Sequence, residues 1–282
     1  VLTAADLAPR NLHWMPTLAG GKQMVLADGK VLFQGQEVAF VVATDRYIAA
    51  DAIELVEVDY EELPVIVDPF KALEPTAPVL REDLNGIMSG AHGPRKHHNH
   101  IFLWEAGDKD ATEQAMDASE VVAEEMVYYN RTHPCPLETC GCVASMDKVN
   151  GKLTVWGTFQ APHVVRTVAS LLSGIEEHNI RVVSPDIGGG FGNKVGVYPG
   201  YVCAIVASIV TGKPVKWIED RMDNLMATAF ARDYWMKGRI SATKDGKITG
   251  LHCHVTADHG AFDACADPTK FPAGFFHICT GS

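Results

Sequence analysis

The chain has 282 residues, of which 47% are hydrophobic and 21% are charged. This composition is typical of a globular protein with a buried core, predicts about two domains, and excludes the disordered and fibrous classes. The 24 basic and 35 acidic residues give a net charge of −11, which disfavours nucleic acid and anionic lipid as partners but permits a local anion site made of backbone amides.

We expect neither an export signal nor a membrane span. The start of the chain, Val1–Ala4, lacks a charged segment followed by an apolar stretch. The longest apolar run, Tyr201–Val210, is too short to cross a bilayer and predicts a buried helix. Seven cysteines without an export signal favour reduced thiols in the cytoplasm. Because the sequence lacks an initiator Met and stops at Ser282 soon after an aromatic stretch, we expect a piece of a longer protein.

The first predicted domain is a small α/β domain at residues 1–75. An apolar run over residues 37–43 predicts a strand. Asp45 is a suitable cap for the next segment, in which apolar residues recur at helical spacing from Ile48 onward. The alternation over residues 56–60 predicts a second strand. Together these elements predict a strand–helix–strand unit.

Residues 76–116 predict a long connection, because prolines, glycines and charges are frequent there and periodicity is weak. The segment contains His97, His98 and His100, which suggest a metal site. No carboxylate or cysteine is suitably spaced nearby, so a solvated or hydrogen-bonding loop is the preferred interpretation.

Residues 117–282 predict a second, larger domain. Asn150-Gly151 is a strong turn signal, and Gly212 and Pro214 are typical of a helix end. The predicted elements are a strand at Val121–Tyr129, a hairpin of Cys140–Met146 and Leu153–Thr158, a helix at Pro162–Ser173, a strand at Ile180–Val183, a helix over 199–211, a strand at Val215–Ile218, and a hairpin over 233–259 that turns at Asp245-Gly246. The predicted fold class is therefore mixed α/β (α+β).

The strongest functional signal is the glycine-rich segment Ser184–Lys194, which lies between a predicted strand and the apolar helix. The three glycines Gly188–Gly190 let the backbone approach a ligand closely, and their amides can form a nest for a negatively charged oxygen. The segment lacks the dinucleotide fingerprint, which needs glycine where Asn193 stands, and it lacks the Gly-Lys-Ser/Thr of a phosphate loop. The residues alone leave a tight packed turn and a ligand loop as open alternatives.

A second signal is Gln160 in the segment Thr158–His163, after a predicted strand and before a predicted helix. In α/β folds this position often carries site residues, and the glutamine amide can both donate and accept hydrogen bonds. An ordinary capping or surface role is the alternative.

The cysteine and histidine clusters favour packing over metal binding. Four residues separate Cys135 from Cys140 and one separates Cys140 from Cys142, which fits no common zinc pattern, so small buried thiols are preferred. His252 and His254 share one face of a predicted strand, where cross-strand packing is favoured over a metal pair.

The glycine loop and Gln160 together resemble the molybdopterin-binding large subunits of the xanthine oxidase family, the molybdenum hydroxylases. The family's Gly-Gly-Phe-Gly loop matches Gly189–Gly192, and the glutamine near its molybdenum matches Gln160. Residues 35–39 and 60–64 resemble the start and end of the family's small hammerhead domain. The resemblance thus implies a partial hammerhead α/β domain at 1–75, a connecting segment at 76–116, and the first part of a molybdopterin-binding α/β domain at 117–282.

Within the family, residues 133–144, 160–165, 184–207 and 257–279 are most similar to the branch that oxidises carbon monoxide at a molybdenum–copper site. This likeness implies oxidation of carbon monoxide with water to carbon dioxide, with molybdopterin cytosine dinucleotide carrying Mo, and with Cu(I). The implied partners are a small subunit with [2Fe–2S] clusters and a medium FAD subunit, in a dimer of heterotrimers in the cytoplasm at the inner membrane face. A related hydroxylase of an aldehyde or N-heterocycle, and a non-catalytic module without cofactor, are the alternatives.

The resemblance also assigns roles to residues. Phe191 and Gln160 are the implied catalytic residues, and the implied cofactor-binding residues are Gln160, Gly189, Gly190, Phe191 and Gly192. The copper-binding loop of this branch, Ala-Tyr-Arg-Cys-Ser-Phe-Arg, does not occur in the sequence. We therefore expect it beyond residue 282, assign no metal ligand within the chain, and expect these residues alone to be inactive.

Overall fold

The computed structural model describes residues 1–16, 22–80, 99–100, 105–258 and 260. They fall into two compact units. The first contains Val1–Leu63 and His133–Phe230, and the second contains Pro64–Thr132 and Ala231–Gly260, in each case where described. The predicted division at residues 75 and 117 stays a prediction.

The described residues form both β-strands and α-helices, of different lengths. The strands are β1 Leu2–Thr3, β2 Trp14–Pro16, β3 Lys22–Met24, β4 Ala39–Phe40, β5 Val121–Tyr129, β6 Gly141–Asp147, β7 Lys152–Gly157, β8 Ile180–Val183, β9 Val215–Ile218, β10 Tyr234–Ala242 and β11 Ile248–Ala257. The α-helices are α1 Ala4–Leu7, α2 Arg46–Ile53, α3 Lys109–Asp117, α4 Pro162–Ser173, α5 Pro199–Thr211 and α6 Arg221–Ala227.

The centre of the first unit is a four-stranded sheet in the order β8-β7-β6-β9. The predicted hairpin is present as the antiparallel pair β6 and β7, in register from Cys142↔Gly157 to Asp147↔Lys152. Strands β7 and β8 are parallel, with α4 between them in the chain. Parallel strands end at the same edge of a sheet, so the segments that follow β7 and β8 are brought together.

Helix α5 fills the core of this unit. Its first ten residues are all buried, as the apolar run predicts. Pro199 begins the helix, where its missing N–H costs nothing, and Gly212 ends it at φ 70°, a conformation that glycine adopts without strain. The core residues include Leu153 and Val155 of β7, which pack with α5 and α4 in one cluster. Burying each such side chain stabilises the fold by about 1.5–3 kcal/mol.

The N-terminal part of the first unit departs from the predicted strand–helix–strand pattern. The predicted helix is present as α2, and Asp45 caps it by accepting hydrogen bonds from the backbone N–H groups of Tyr47 and Ile48, both at 2.9 Å. The strand predicted at residues 37–43 is reduced to β4, and the strand predicted at 56–60 is absent. Residues 56–60 are exposed and no described strand pairs with them, and alternating residues cannot form a strand without a backbone partner.

The second unit is built on a three-stranded antiparallel sheet in the order β11-β10-β5. The predicted strand β5 and the predicted hairpin of β10 and β11 are both confirmed. All but the last residue of helix α3 lies in the segment 76–116, where weak periodicity predicts no helix, and Asp108 caps it. Only Met116 of this helix is buried, so its apolar signal in the sequence is weak. In the described ranges, the helices are all shorter or more polar than a bilayer crossing requires.

Candidate functional site

The glycine-rich segment Ser184–Lys194 and Gln160 lie side by side in the first unit. Gln160 follows β7, and the glycine-rich segment follows its parallel neighbour β8. The hydroxyl of Ser184 donates a hydrogen bond of 2.7 Å to the carbonyl of Phe159, which joins the two segments as they leave the sheet. Gln160 and the glycine-rich segment are distant in the sequence, and the parallel pairing of β7 and β8 brings them together.

The loop Gly188–Lys194, which is the second part of the glycine-rich segment, holds the side-chain amide of Gln160 in one orientation. Its Oε1 accepts hydrogen bonds from the backbone N–H groups of Gly192 at 3.0 Å and Lys194 at 3.1 Å. Since both donors are N–H groups, the atom that faces them must be the oxygen. The Nε2 group has no partner among the described residues, and Gln160 is exposed. The glutamine therefore keeps the two N–H donors of Nε2 available.

The loop requires glycine where it meets this glutamine. A Cβ atom on Gly190 would lie 2.4 Å from Cδ of Gln160, closer than real contacts allow. Gly189 and Gly192 have φ angles of 94° and 89°, in the left-handed region that favours glycine. Phe191 adopts φ 52° without that freedom, and its residue is 75% exposed. An exposed aromatic side chain in a strained conformation is typical of a functional site rather than of core packing.

The backbone amides of the loop divide into two sets. The amides of Gly188, Gly192 and Lys194 donate to side chains, and that of Asn193 donates to the carbonyl of Gly190. In the described structure, the amides of Gly189, Gly190 and Phe191 have no hydrogen-bond partner. Three successive amides without a partner among the described residues, beside glycines at positive φ, are available to donate hydrogen bonds to an anionic oxygen. This observation favours the ligand loop over the tight packed turn.

The two ends of the loop are tied to Glu138. One carboxylate oxygen, Oε2, accepts a hydrogen bond from the N–H of Gly188 at 2.9 Å and one from Nζ of Lys194 at 2.7 Å. Burial raises the pKa of Glu138, but the Lys194 ammonium and the Gly188 N–H outweigh it and hold the pKa below its ordinary value. The carboxylate is therefore ionised and paired at neutral pH.

A buried polar network supports the loop from behind. The side-chain amide of Asn193 donates to the hydroxyl of Thr228 at 2.8 Å, and the hydroxyl of Tyr198 donates to the Asn193 carbonyl. His133 accepts from the N–H of Cys135 at Nδ1, so its proton is on Nε2, which donates to the carbonyl of Asn224 at 2.9 Å. These contacts hold Asn193, and with it the C-terminal part of the loop, in place.

Four supporting residues were missed in the sequence as site residues: Glu138, Lys194, Asn193 and His133. Glu138 and Lys194 are 56 positions apart, so no local pattern relates them. The one available signal was a lysine just after an apolar glycine-rich loop, where a buried charge requires a partner.

The cysteines near the site are of two kinds. Cys140 and Cys142 are buried, and burial raises the pKa of each thiol to about 12, so both are neutral small groups in the core. Cys135 is exposed and has φ 47°. No three His, Cys, Asp or Glu side chains converge on one point in the described ranges.

The remaining histidine signals lie elsewhere. His252 is on β11, as predicted, where Nδ1 lies 3.2 Å from the carboxylate of Glu113. His97, His98 and most of the stretch 257–279 lie outside the described residues.

Comparisons with known proteins agree with this geometry. Residues 92–281 match the family described as the molybdopterin cofactor-binding domain. Residues 1–64 match the a/b hammerhead domain of aldehyde oxidase and xanthine dehydrogenase. These two matches confirm the predicted fold class, a hammerhead domain followed by part of a molybdopterin-binding domain.

Individual relatives are longer than this chain. The carbon monoxide dehydrogenase large chain of Afipia carboxidovorans is 72% identical over 282 residues, which is 100% of this chain and 35% of that protein. A crystal structure of Cu,Mo-CO dehydrogenase in the carbon monoxide reduced state has a TM-score of 0.91 at 72% identity, over 99% of this chain and 35% of that one. Quinoline 2-oxidoreductase from Pseudomonas putida 86 has a TM-score of 0.72 at 30% identity, over 90% and 31% of the two chains. The chain spans about a third of the length of the curated relatives it matches.

Proposed function

This chain belongs to the molybdopterin cofactor-binding family, and from that premise we propose that it forms one wall of a molybdenum site that oxidises carbon monoxide. The observation that carries the proposal is the pairing of Gln160, whose Nε2 is free, with the free amides of Gly189–Phe191. Both are N–H donors, and they lie close together because the loop is hydrogen-bonded to Gln160. Such donors suit the electron-rich oxygen atoms of an oxidised metal group.

The residues fit a metallopterin on three physical grounds. Gly190 lets the Gln160 side chain lie directly against the loop backbone, where a Cβ would meet Cδ of Gln160 at 2.4 Å. Gln160 cannot rotate its oxygen toward the ligand, because Gly192 and Lys194 already donate to that oxygen. Phe191 is exposed beside these donors. Polar donors that converge next to an exposed aromatic side chain are the expected lining of a site for a polar cofactor and a small apolar substrate.

The bound cofactor would supply the chemistry that converts carbon monoxide and water into carbon dioxide, two protons and two electrons, and the electrons would pass to the partner subunits. The chain's own residues would orient the cofactor and exclude water. Gln160 would donate from Nε2 to an oxygen of the bound group, and the amides of Gly189–Phe191 would hold the same group by further hydrogen bonds. Phe191 shapes a dry space for a small apolar gas. In this assignment Gln160 and Phe191 act in catalysis, and Gly189, Gly190 and Gly192 bind the cofactor.

The finer assignments are supported by the relatives. The 72% identity to a carbon monoxide dehydrogenase large chain, and to a solved Cu,Mo-CO dehydrogenase, favours carbon monoxide over an aldehyde or N-heterocycle as the substrate. We propose molybdopterin cytosine dinucleotide with Mo as the cofactor, and Cu(I), which as a soft ion suits a thiolate ligand and carbon monoxide, held by a part of the protein outside these residues. The proposed partners are a [2Fe–2S] subunit and an FAD subunit in a dimer of heterotrimers.

Metal and pterin analysis of the full-length complex tests the proposal. We expect molybdenum and copper near a one-to-one ratio, pterin fluorescence after denaturation, and reduction of an artificial electron acceptor that depends on carbon monoxide. Molybdenum without copper, with turnover of an aldehyde or N-heterocycle, would assign the chain to a related hydroxylase. A complex without pterin would leave only a cofactor-free module.

A further inference from the structure

The loop that carries the free amides is closed at its base by one ion pair. Glu138 Oε2 joins the N–H of Gly188, at the start of the loop, to the ammonium of Lys194, at its end. The N–H of Glu138 also donates to the carbonyl of Gly188 at 3.2 Å. We infer that Glu138 and Lys194 are positioning residues, which set where Gln160 and the free amides stand. This inference rests on the proposed function.

Lys194 connects directly to Gln160 through the backbone. Its N–H donates to Oε1 of Gln160, and its carbonyl accepts from the N–H of Gln160 at 3.0 Å. A displacement of Lys194 therefore moves the amide that would contact the metal oxygen, without an intermediate residue. The Lys194 side chain thus acts through its own main chain on one side and through Glu138 on the other.

The surroundings make this ion pair more than a surface contact. The Lys194 side chain is 0% exposed, whereas that of Glu138 is 40% exposed. A buried ammonium needs its partner, because leaving it unpaired is strongly unfavourable. Glu138, in contrast, can be solvated if the lysine is removed. Removing the charge of Lys194 is therefore the cleaner perturbation, since it leaves no unpaired charge in the core.

The experiment compares four variants of the full-length complex. Lys194→Met removes the charge at similar length, Glu138→Ala removes the acceptor, and Glu138→Gln restores an acceptor oxygen for both donors. Glu177→Gln is the matched control, because it breaks an exposed ion pair with Arg166 in the same unit. In the described ranges, neither residue of this pair is bonded to the loop. The readouts are molybdenum content, the Mo(V) electron paramagnetic resonance spectrum, kcat and KM separately, and hydrogen exchange of the loop amides.

We expect Lys194→Met and Glu138→Ala to lower kcat about ten- to hundredfold with a smaller change in KM. The Mo(V) spectrum should change and the loop amides should exchange faster. Glu138→Gln should recover most of the lost rate, and Glu177→Gln should behave as the wild type. If Lys194→Met does not fold, the contrast between Glu138→Ala and Glu138→Gln carries the same test.

Two outcomes overturn the inference in distinguishable ways. Wild-type kcat, spectrum and exchange in Lys194→Met and Glu138→Ala, with a lower melting temperature alone, would show a merely structural ion pair while the proposed function stood. Absence of molybdenum and pterin from the wild-type complex would defeat the proposed function and this inference together.

Discussion

Replacing Gly190 with alanine tests the contact between the loop and Gln160. The new Cβ would lie 2.4 Å from Cδ and 2.5 Å from Oε1 of Gln160, so the glutamine must move. The backbone of Gly190 is not at positive φ, so alanine itself is tolerated there. The damage therefore comes from displacing one side chain, which a second substitution can remove.

The magnitude follows from the two hydrogen bonds that Oε1 accepts. Each contributes roughly 0.5–1.5 kcal/mol net, and water can replace part of this because Gln160 is exposed. We expect Gly190→Ala to lower the free energy of unfolding by about 1–2 kcal/mol, and the melting temperature with it. Gly192→Ala is a matched control, since φ 89° makes alanine strained there while nothing lies within 4 Å of its Cβ. Its cost should be similar, about 1 kcal/mol, without displacing Gln160.

The assay is a double-mutant cycle on the purified full-length protein, read by melting temperature and by turnover. In a Gln160→Ala background the clash is gone, so Gly190→Ala should cost almost nothing more, which gives a coupling of about 1–2 kcal/mol. Gly192→Ala should cost the same in both backgrounds. Equal losses from Gly190→Ala in both backgrounds would refute the proposed contact.

Three further predictions address the site and its surroundings. Phe191→Ala should lower turnover more than stability, because its side chain is exposed; a large drop in melting temperature with unchanged turnover would contradict this. Burial raises the pKa of Glu37 to about 7. The folded state therefore holds this proton more tightly than the unfolded state, and the free energy of unfolding falls as the pH rises from about 4.5 to 7. Glu37→Gln should therefore melt higher than the wild type at pH 8 and equally at pH 4.5; a constant difference would exclude this titration. Thiol alkylation of the native protein, followed by peptide mass mapping, should modify the exposed Cys135 and spare the buried Cys140, whose raised pKa keeps it a thiol. Equal rates of modification would contradict the burial of Cys140.

Elements with strong local signals were predictable from the sequence. Helix α4 and strand β8 have the predicted bounds, and α5 spans the predicted range. Each of the two helices is apolar, begins with a proline and is followed by a glycine, and β8 is a short run of mostly β-branched residues. The strand predicted at residues 56–60 failed, since pairing depends on a neighbour that the segment does not specify. Helix α3 was missed because it buries only Met116 and therefore carries a weak apolar pattern.

The site divides in the same way. Gln160 and the loop Gly189–Gly192 were found through residue types and a family resemblance, and the parallel pairing of β7 and β8 then brought them into contact. Glu138 was not found, because its role depends on a contact with Lys194 made only in the folded chain. Long-range partners of a buried charge are not encoded in any local pattern.

The most direct measurement is an experimental structure of the full-length protein purified with its cofactor. We predict a metallopterin beside the loop, with Nε2 of Gln160 about 3 Å from an oxygen of the bound group and with the amides of Gly189–Phe191 directed at the same group. A metallopterin bound elsewhere, with this loop and Gln160 facing only solvent or protein, would contradict it.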